Sequence, residues 1–350
     1  QPFSLFHVYW PAAGTCRVYL GHVRPAAALL TEEFMARKRK KCYSGIGGQA
    51  VLEGIMMKND DRYAVSVRRP DGGISVEPGN YQGIPGMGAV KRIPFVRGIF
   101  NFVDSLVLGT RCLNFSASMY DDGGEERNGT GEKLMTTLVT VFAVVMALGI
   151  FIVLPYYLAS IIGRQLRNAS LLAIIEGAIR IAVFIGYVLS ISLMKDIRRL
   201  YRYHGAEHKC INCIERGKPL TVRNVMRSSR LHRRCGTSFI FFVLFVSIVL
   251  FFFIRVENPF QRAALRILLM PVVAGISYEI IRLAGRFDNI FVRIISAPGM
   301  LVQRLTTKEP DASMAEVAIA AVEAVFDWKK FLQENFGYEP EENQESSQEE

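Results

Sequence analysis

Three residues near the middle of the chain have the types and spacing of a catalytic metal site. His204, Glu207 and His208 follow the order H-x-x-E-H. On an α-helix, residues i and i+4 lie on one face, so both imidazoles would point at one ion and Glu207 would reach a water beside it. Zinc at such a site acidifies water, which makes Glu207 the candidate general base. The motif therefore indicates metal-dependent hydrolysis of a peptide, ester or phosphoester.

Two more residues of metal-ligand type follow later in the same segment. His232 and Cys235 are separated by two arginines. Imidazole and thiolate are the ligands that zinc prefers in proteins, although mixed ligation does not exclude iron or manganese. We therefore predict a divalent metal, zinc in the first place, held by His204, His208, His232 and Cys235.

A second ligand set competes for the same metal. Cys210 and Cys213, then eighteen residues, then His232 and Cys235 give C-x2-C…H-x2-C, which is close to the spacing of a closed structural zinc site. If one helix carries the histidines, Cys213 lies about 140° round from His208, so one site cannot easily use both sets. Ordinary packing and contacts with lipid head groups are a third interpretation, and the residues alone leave all three open.

The candidate ligands lie in a basic segment between long apolar runs. Residues 195–235 contain twelve Lys or Arg and three Asp or Glu. Elsewhere, runs of mostly apolar residues reach or approach the length that crosses about 30 Å of hydrocarbon. These runs are Leu134–Ile162, Leu171–Met194, Gly236–Ile254 and Ala264–Leu283. We therefore predict an α-helical integral membrane protein with about four spans, in which residues 195–235 form a basic loop between the second and third.

The distribution of charge predicts the orientation of the spans. The net charge is +10, and the Lys and Arg residues crowd beside the apolar runs, as the positive-inside rule expects. An even number of spans places both termini and residues 195–235 on the same side of the cell membrane, which the charge makes cytoplasmic. We expect the lipid bilayer as a partner, together with an anionic lipid or a protein at the cytoplasmic face, and no specific nucleic acid.

The part of the chain before the first span is predicted to hold a small cytoplasmic domain with β-structure. Met35 opens a basic stretch typical of a bacterial start, so we expect residues 1–34 to lie outside the native protein. Within residues 35–93, alternating apolar residues flank Pro70-Asp71-Gly72-Gly73, which is a hairpin signal. Residues 94–133 are predicted as an interfacial helix followed by a polar linker.

The part after the last span is predicted to be cytoplasmic and helical. Residues 284–333 contain amphipathic segments that we expect to break at Pro298-Gly299, and a later helix opened by Asp311 or Ser313. Residues 334–350 are acidic and almost free of apolar side chains, so we expect disorder there. The irregular spacing of the six cysteines argues against a disulfide framework.

Charged residues within the predicted spans are the remaining candidates for function. Glu176 and Arg180 are four residues apart in the second span, where charge is costly unless it is paired. They indicate either a transport or relay element or an internal salt bridge. Glu279, near the end of the fourth span, is expected either to help the metal site or to reach toward the membrane surface.

Several motifs in order resemble the YqhQ-like family of uncharacterised bacterial membrane proteins. They are GGQAVLEGIMMK, YHGAEHK, LTVRNV, RCGTSF, ISYEIIR and LTTKEPD. The resemblance extends from Gly45 to about Val325, and it implies a metal-dependent protein with no established substrate. Its pattern falls on His204, Glu207, His208, His232 and Cys235, and it favours this mixed set because Cys210 and Cys213 are not both part of it. Where the family usually reads H-P-R-C, this chain has Arg233, which puts the turn before Cys235 in doubt.

Two functions from different classes follow from these patterns. The first is a metal-dependent hydrolase at the cytoplasmic membrane surface, with Glu207 as the catalytic residue. The second is a non-catalytic scaffold or assembly factor that a metal stabilises and whose basic face recruits a partner. A transporter would rest on Glu176 and Arg180 alone.

Overall fold

The computed structural model describes residues 41–83, 93–120, 130–163, 169–254, 256, 258–286 and 290–339. The segment expected to be non-native, residues 1–34, lies outside these ranges. So do most of the polar linker and residues 340–350 of the acidic tail, and our expectations for those segments stay predictions. Residues 334–336, which we expected to be disordered, instead form the end of a helix, because Phe336 packs against the hydrophobic core.

The described chain begins with an antiparallel sheet. Its strands pair in the order β1-β2-β3-β4. They are Gly47–Val51 (β1), Gly54–Asn59 (β2), Arg62–Arg68 (β3) and Ile74–Asn80 (β4). The predicted hairpin joins β3 to β4, where Gly72 has φ 85° and Asp71 accepts a 2.8 Å hydrogen bond from the backbone of Gly73. Glycine suits this position of the turn, because most other residues are strained at positive φ.

Helices make up nearly all of the remaining described structure. In chain order they are Val96–Ser118 (α1), Thr130–Leu148 (α2), Leu154–Gly163 (α3), Ala169–Ile191 (α4), Lys195–Glu215 (α5), Val222–Met226 (α6), Gly236–Phe253 (α7), Pro259–Arg286 (α8), Ile290–Thr306 (α9), Ala312–Val325 (α10) and Trp328–Phe336 (α11). A π-helical turn, Gly149–Val153, joins α2 to α3.

Among the described residues, four helical stretches are long and apolar enough to cross a membrane. They are Thr137–Ile162, Ser170–Ile191, Gly236–Phe253 and Ala264–Ala284. Each agrees with a predicted span to within a few residues, because length and hydropathy are local properties of the sequence. The first stretch runs through the π-helical turn without a break.

The sheet is a layer between helices and does not have a core of its own. On one face Ile55, Met57 and Ala64 pack against buried side chains of α5, α10 and α11. On the other face Val51, Val65 and Val67 pack against Leu108 and Cys112 of α1. The predicted small domain therefore shares its core with helices far away in the sequence.

Helix α1 is fastened to the fourth apolar stretch by polar side chains. Arg97 donates to both carboxylate oxygens of Glu279, and Asn101 donates a 2.7 Å hydrogen bond to the hydroxyl of Tyr278. Gly98 permits this close approach, since a Cβ there would lie 2.6 Å from Tyr278. Glu279 thus joins two helices, which is neither of the roles expected for it.

The structure differs from two further expectations. The segment 195–235, expected as a loop, begins with the six turns of α5, because one face of that helix packs into the core beneath the sheet.

The break expected at Pro298 does not occur either, since α9 continues through it. Gly299 packs closely against Ser238 of α7, since a Cβ on Gly299 would lie 3.0 Å from the hydroxyl oxygen of Ser238. This packing supports the helix beside Pro298. Asp311 does open α10, as predicted, by accepting a 3.0 Å hydrogen bond from Met314.

Candidate metal centre

Helix α5 places the two histidines of the H-x-x-E-H motif side by side. His204 and His208 lie one turn apart on the same face, with ring centroids separated by 4.4 Å. Glu207 directly precedes His208 on this helix and is 4% exposed. The predicted helical geometry of the motif is therefore present in the structure.

Cys235 reaches the histidines from the start of α7. It is the residue before the first turn of that helix, and its sulfur accepts a 3.4 Å hydrogen bond from the backbone of Thr237. Its Sγ lies 3.0 Å from Nε2 of His204. Ligand atoms of His204, His208 and Cys235 all lie within 4.8 Å of one another, which is close enough for one ion to bind all three. We call these three residues the metal-ligand cluster.

Backbone carbonyl groups fix the tautomer of both histidines. Nδ1 of His204 lies 3.0 Å from the carbonyl oxygen of Thr306, and Nδ1 of His208 lies 2.7 Å from that of Arg230. A carbonyl oxygen can only accept, so Nδ1 carries the proton in each ring. Nε2 is then the nitrogen of each ring that is left for a metal, which is the usual arrangement of metal-binding histidines.

Polar side chains of α5 hold the loop that leads to Cys235. Lys209 donates 2.9 Å hydrogen bonds to the carbonyl oxygens of Met226 and Ser228. Asn212 donates to the carbonyl oxygens of Ser229 and Leu231 at 2.8 and 3.0 Å. Four carbonyl groups between Met226 and Leu231 are thereby bound by α5, and these interactions bring the loop and the start of α7 to the histidines.

Electrostatic interactions within the cluster favour a thiolate. Burial by itself raises the pKa of the Cys235 thiol, but the charges and hydrogen bonds of His204 and His208 outweigh burial and hold that pKa well below its usual value. In turn, burial lowers the pKa of His204, whereas the Cys235 thiolate and Glu207 raise it more strongly, to about 9. At this pKa His204 is an imidazolium that pairs with the Cys235 thiolate, and a divalent cation would bind both groups by displacing the proton on Nε2.

Glu207 is a buried carboxylate without a full set of partners. Its Oε2 atom is buried and has no hydrogen-bond partner among the described residues. Burial raises its pKa, against the opposing influence of His208 and His204. Strand β1 covers it closely, since a Cβ on Gly48 would lie 3.0 Å from the carboxyl carbon of Glu207. A buried polar atom of this kind needs an explanation, such as a ligand or a catalytic role.

The fourth predicted ligand, His232, has partners of its own. Its ring lies beside that of His208, with centroids 5.6 Å apart, but its Nε2 lies 3.5 Å from Oε2 of Glu215 and 3.5 Å from Arg234. Burial lowers the pKa of His232 to about 4, against the effect of Glu215. The structure thus brings three of the four predicted ligands together and pairs His232 with Glu215.

Glu215 is the centre of an ion-pair group that the sequence did not reveal. It binds Lys41 at 3.2 Å, the backbone and hydroxyl of Ser44 at 3.2 and 3.1 Å, and the guanidinium of Arg234. Burial raises its pKa, but His232, Arg234 and Lys41 together hold it well below the usual range. We call Glu215, Lys41, Ser44, His232 and Arg234 the Glu215 cluster.

The cysteines of the competing closed site lie elsewhere. Cys210 and Cys213 are fully buried in the hydrophobic core with α10 and α11. Cys213 approaches the carbonyl oxygens of Lys218 and Pro219 at 3.7 and 3.5 Å. Burial raises the pKa of the Cys210 thiol well above its usual value and that of Cys213 to about 11. The described residues therefore bring together three of the four ligands of the mixed set, and they do not bring Cys210 or Cys213 to them.

Gln303 is a further residue that sequence reasoning missed. It is completely buried in α9. It accepts a 2.9 Å hydrogen bond from the backbone of His232 and donates one of 2.7 Å to its carbonyl oxygen. A polar residue on the apolar side of an amphipathic helix was the available signal. Its partner is 71 residues away, so the signal could not identify the contact.

Comparisons with known proteins place this site in context. The sequence model of a family described as "Protein of unknown function (DUF1385)" matches residues 93–328. The uncharacterized protein YqhQ of Bacillus subtilis (strain 168) is 35% identical over an alignment 284 residues long, which covers 78% of this chain and 89% of that protein. No solved structure shows a significant match. The metal-ligand cluster and Glu207 all lie inside the matched range.

Proposed function

Because the chain belongs to the DUF1385 family, whose description assigns no function, we propose its function from the site itself: a divalent-metal centre that hydrolyses a substrate at a membrane surface. The motif resemblance to YqhQ-like proteins is confirmed by the 35% identity. Family membership supports the architecture, and the arrangement of side chains supports the chemistry.

The observation that carries the proposal is the unpartnered Oε2 atom of Glu207 beside the metal-ligand cluster. Three protein ligands leave a fourth position open in a tetrahedral zinc site, and catalytic zinc sites are built in this way. A closed structural site would need no adjacent carboxylate. His204, His208 and Cys235 would hold the ion, and their imidazole and thiolate donors favour zinc.

The protein groups have distinct roles in such a reaction. When bound, the cation supplies Lewis acidity, which polarises a carbonyl or phosphoryl oxygen and lowers the pKa of water. Glu207 takes the proton from the attacking water and returns it to the leaving group. His204 is only half-buried, whereas His208 and Cys235 are buried, so substrate and water reach the centre past His204. The substrate class is a peptide, an ester or a phosphoester near the membrane.

The proposed location is the cytoplasmic surface of the cell membrane. Cys235 directly precedes α7, one of the four stretches long enough to span a membrane. The basic residues of the segment 195–235 favour the cytoplasmic side. Both termini would then be cytoplasmic, and anionic lipid or a protein could bind the same basic face.

A second candidate is the metal-stabilised scaffold. The observation that favours it is that parts of the chain far apart in sequence meet at the site, since α5, the start of α7 and the last residue of α9 all contribute to it. A metal at this junction would hold them together without catalysing a reaction. In that case Glu207 would be dispensable for function.

Metal content and turnover separate these candidates. We would measure metals by elemental mass spectrometry on detergent-purified wild type, His208→Ala, Cys210→Ala and Glu207→Gln, and then screen for hydrolysis. About one metal per chain, lost in His208→Ala and kept in Cys210→Ala, supports the mixed site. Turnover lost in Glu207→Gln with the metal kept supports the hydrolase, whereas an unimpaired Glu207→Gln favours the scaffold. Wild type without metal overturns both.

A further inference from the structure

A second group of charged residues lies within the apolar helices. The Glu176–Arg180 pair expected from the sequence is present, at 2.9 Å, and it has a third member that the sequence did not indicate. Arg266 of α8 lies 2.6 Å from the Glu176 carboxylate, and Arg180 also donates a 3.3 Å hydrogen bond to Ser247 of α7. Glu176, Arg180 and Arg266 are each less than a tenth exposed.

The charges of this group do not balance. Within the described residues, two guanidinium groups share the one carboxylate of Glu176, which leaves one positive charge in excess. Buried charge in an apolar region is costly unless it is paired. In addition, the Nε atom of Arg180 is buried and has no hydrogen-bond partner in the part of the chain that the structure describes. Both observations point to an anion as the missing partner.

An apolar cavity opens beside the same arginine. It has a volume of about 250 Å³ and is lined by the π-helical turn, α4, α7 and α8 through side chains that include Phe151, Phe184, Leu244 and Met270. The polar residues in its lining are Arg180, Ser247 and Tyr187. Along α7 the lining runs from Ile240 to Phe251, a distance of about 16 Å at 1.5 Å per residue. The lining along this helix is therefore mostly apolar, and Arg180 lies beside Ser247, toward the Phe251 end.

We propose that this cavity binds an anionic lipid through one acyl chain, with its acidic head group on Arg180. The aromatic and aliphatic walls match the chain, and the excess positive charge matches the head group. A neutral lipid would leave that charge unpaired, and a small inorganic anion would leave the apolar walls empty. The proposal does not depend on the metal centre, because Ser247 is twelve residues, or about 18 Å along α7, from Cys235.

The test compares two ligands with the same chain. Oleate or oleyl alcohol would be added to the full-length chain in a non-ionic detergent, and bound ligand would be counted by native mass spectrometry. We expect one oleate per chain, at least about tenfold preference for oleate over oleyl alcohol, and no displacement by inorganic phosphate. Equal binding of the two ligands, no binding of oleate, or displacement by phosphate alone overturns the proposal.

Variants locate the binding within the chain. Leu244→Trp fills the cavity and keeps every charge, so we expect it to lose oleate. Arg180→Gln should lose the preference for oleate over oleyl alcohol. Arg262→Gln is the matched control, because Arg262 donates to the carbonyl oxygen of Val256 and does not line the cavity. If Arg180→Gln does not fold, Leu244→Trp still decides, since unchanged oleate binding in that variant overturns the proposal.

Discussion

Helix α5 carries two buried carboxylates with opposite surroundings, Glu207 and Glu215. They are 4% and 1% exposed. Glu215 has cations, an imidazole and a serine around it, and its pKa is held low by them. Glu207 has an oxygen with no partner, and burial raises its pKa. Two glutamates on the same helix thus differ in their partners within the described chain: both oxygens of Glu215 have them, whereas one oxygen of Glu207 does not.

The difference between these two carboxylates separates a glutamate that is buried for stability from one that is buried for function. A buried carboxylate with every lone pair occupied stabilises the contact between its partners, and removing it leaves their charges without compensation. A buried carboxylate with a free oxygen contributes little to stability, but it is available to a ligand or a proton. We therefore assign Glu215 to the architecture and Glu207 to the chemistry.

The largest effect on stability is expected for Glu215→Gln. Lys41 and Arg234 would lose their counter-charge near a buried position, so the free energy of unfolding should fall by about 3 kcal/mol. Thermal unfolding of the detergent-solubilised protein measures this loss, and metal content per folded chain should be unchanged. Stability equal to that of wild type would remove the structural role given to Glu215.

A smaller loss is expected for Gly205→Ala, which acts on the wall of the metal site. A Cβ at Gly205 would lie 2.1 Å from the carbonyl oxygen of Lys308, and backbone cannot yield as a flexible side chain does. We expect a loss of about 2 kcal/mol and weaker metal retention, because Lys308 closely follows Thr306, the last residue of α9, whose carbonyl group binds His204. Gly186→Ala is the control, since nothing lies within 4 Å of its Cβ position.

The pH dependence of stability should sharpen the comparison. The pKa of Glu215 is lower in the folded chain than its ordinary value of 4.5. Its stabilising effect is therefore complete above about pH 4.5 and declines as the pH falls, by at most about 1.4 kcal/mol per pH unit. The stability difference between wild type and Glu215→Gln should narrow between pH 5 and pH 3 in the same thermal assay. A difference that widens in acid would contradict the assignment.

The smallest effect on stability is expected for Glu207→Gln. The substitution keeps the shape of the side chain and removes no hydrogen bond from Oε2, so the free energy of unfolding should change by less than about 1 kcal/mol. The same thermal assay measures it beside Glu215→Gln. A loss as large as that of Glu215→Gln would show that Glu207 is structural and would end the distinction drawn between them.

Sequence patterns predicted local features of the fold and the site well. The four apolar stretches follow from length and hydropathy, the β3–β4 hairpin from its glycine, and the His204–His208 face from helical periodicity. Contacts between distant parts of the chain could not be predicted in this way. Ser44 and Glu215 are 171 residues apart, and Glu176 and Arg266 are 90 apart. No periodicity in one sequence connects such pairs, because packing of the whole fold brings them together.

The position of Thr306 has a consequence for the order in which the site is completed during synthesis. His204, His208 and Cys235 are translated before α7, whereas Thr306, whose carbonyl fixes the His204 ring, comes 71 residues after Cys235. At about 5–20 residues per second, the ribosome needs roughly 4–14 s to reach it. During that interval the three donors are present, but the wall that orients one of them does not yet exist. A nascent chain therefore has a period in which its Cys235 thiol is open to metal and oxidant before folding encloses it.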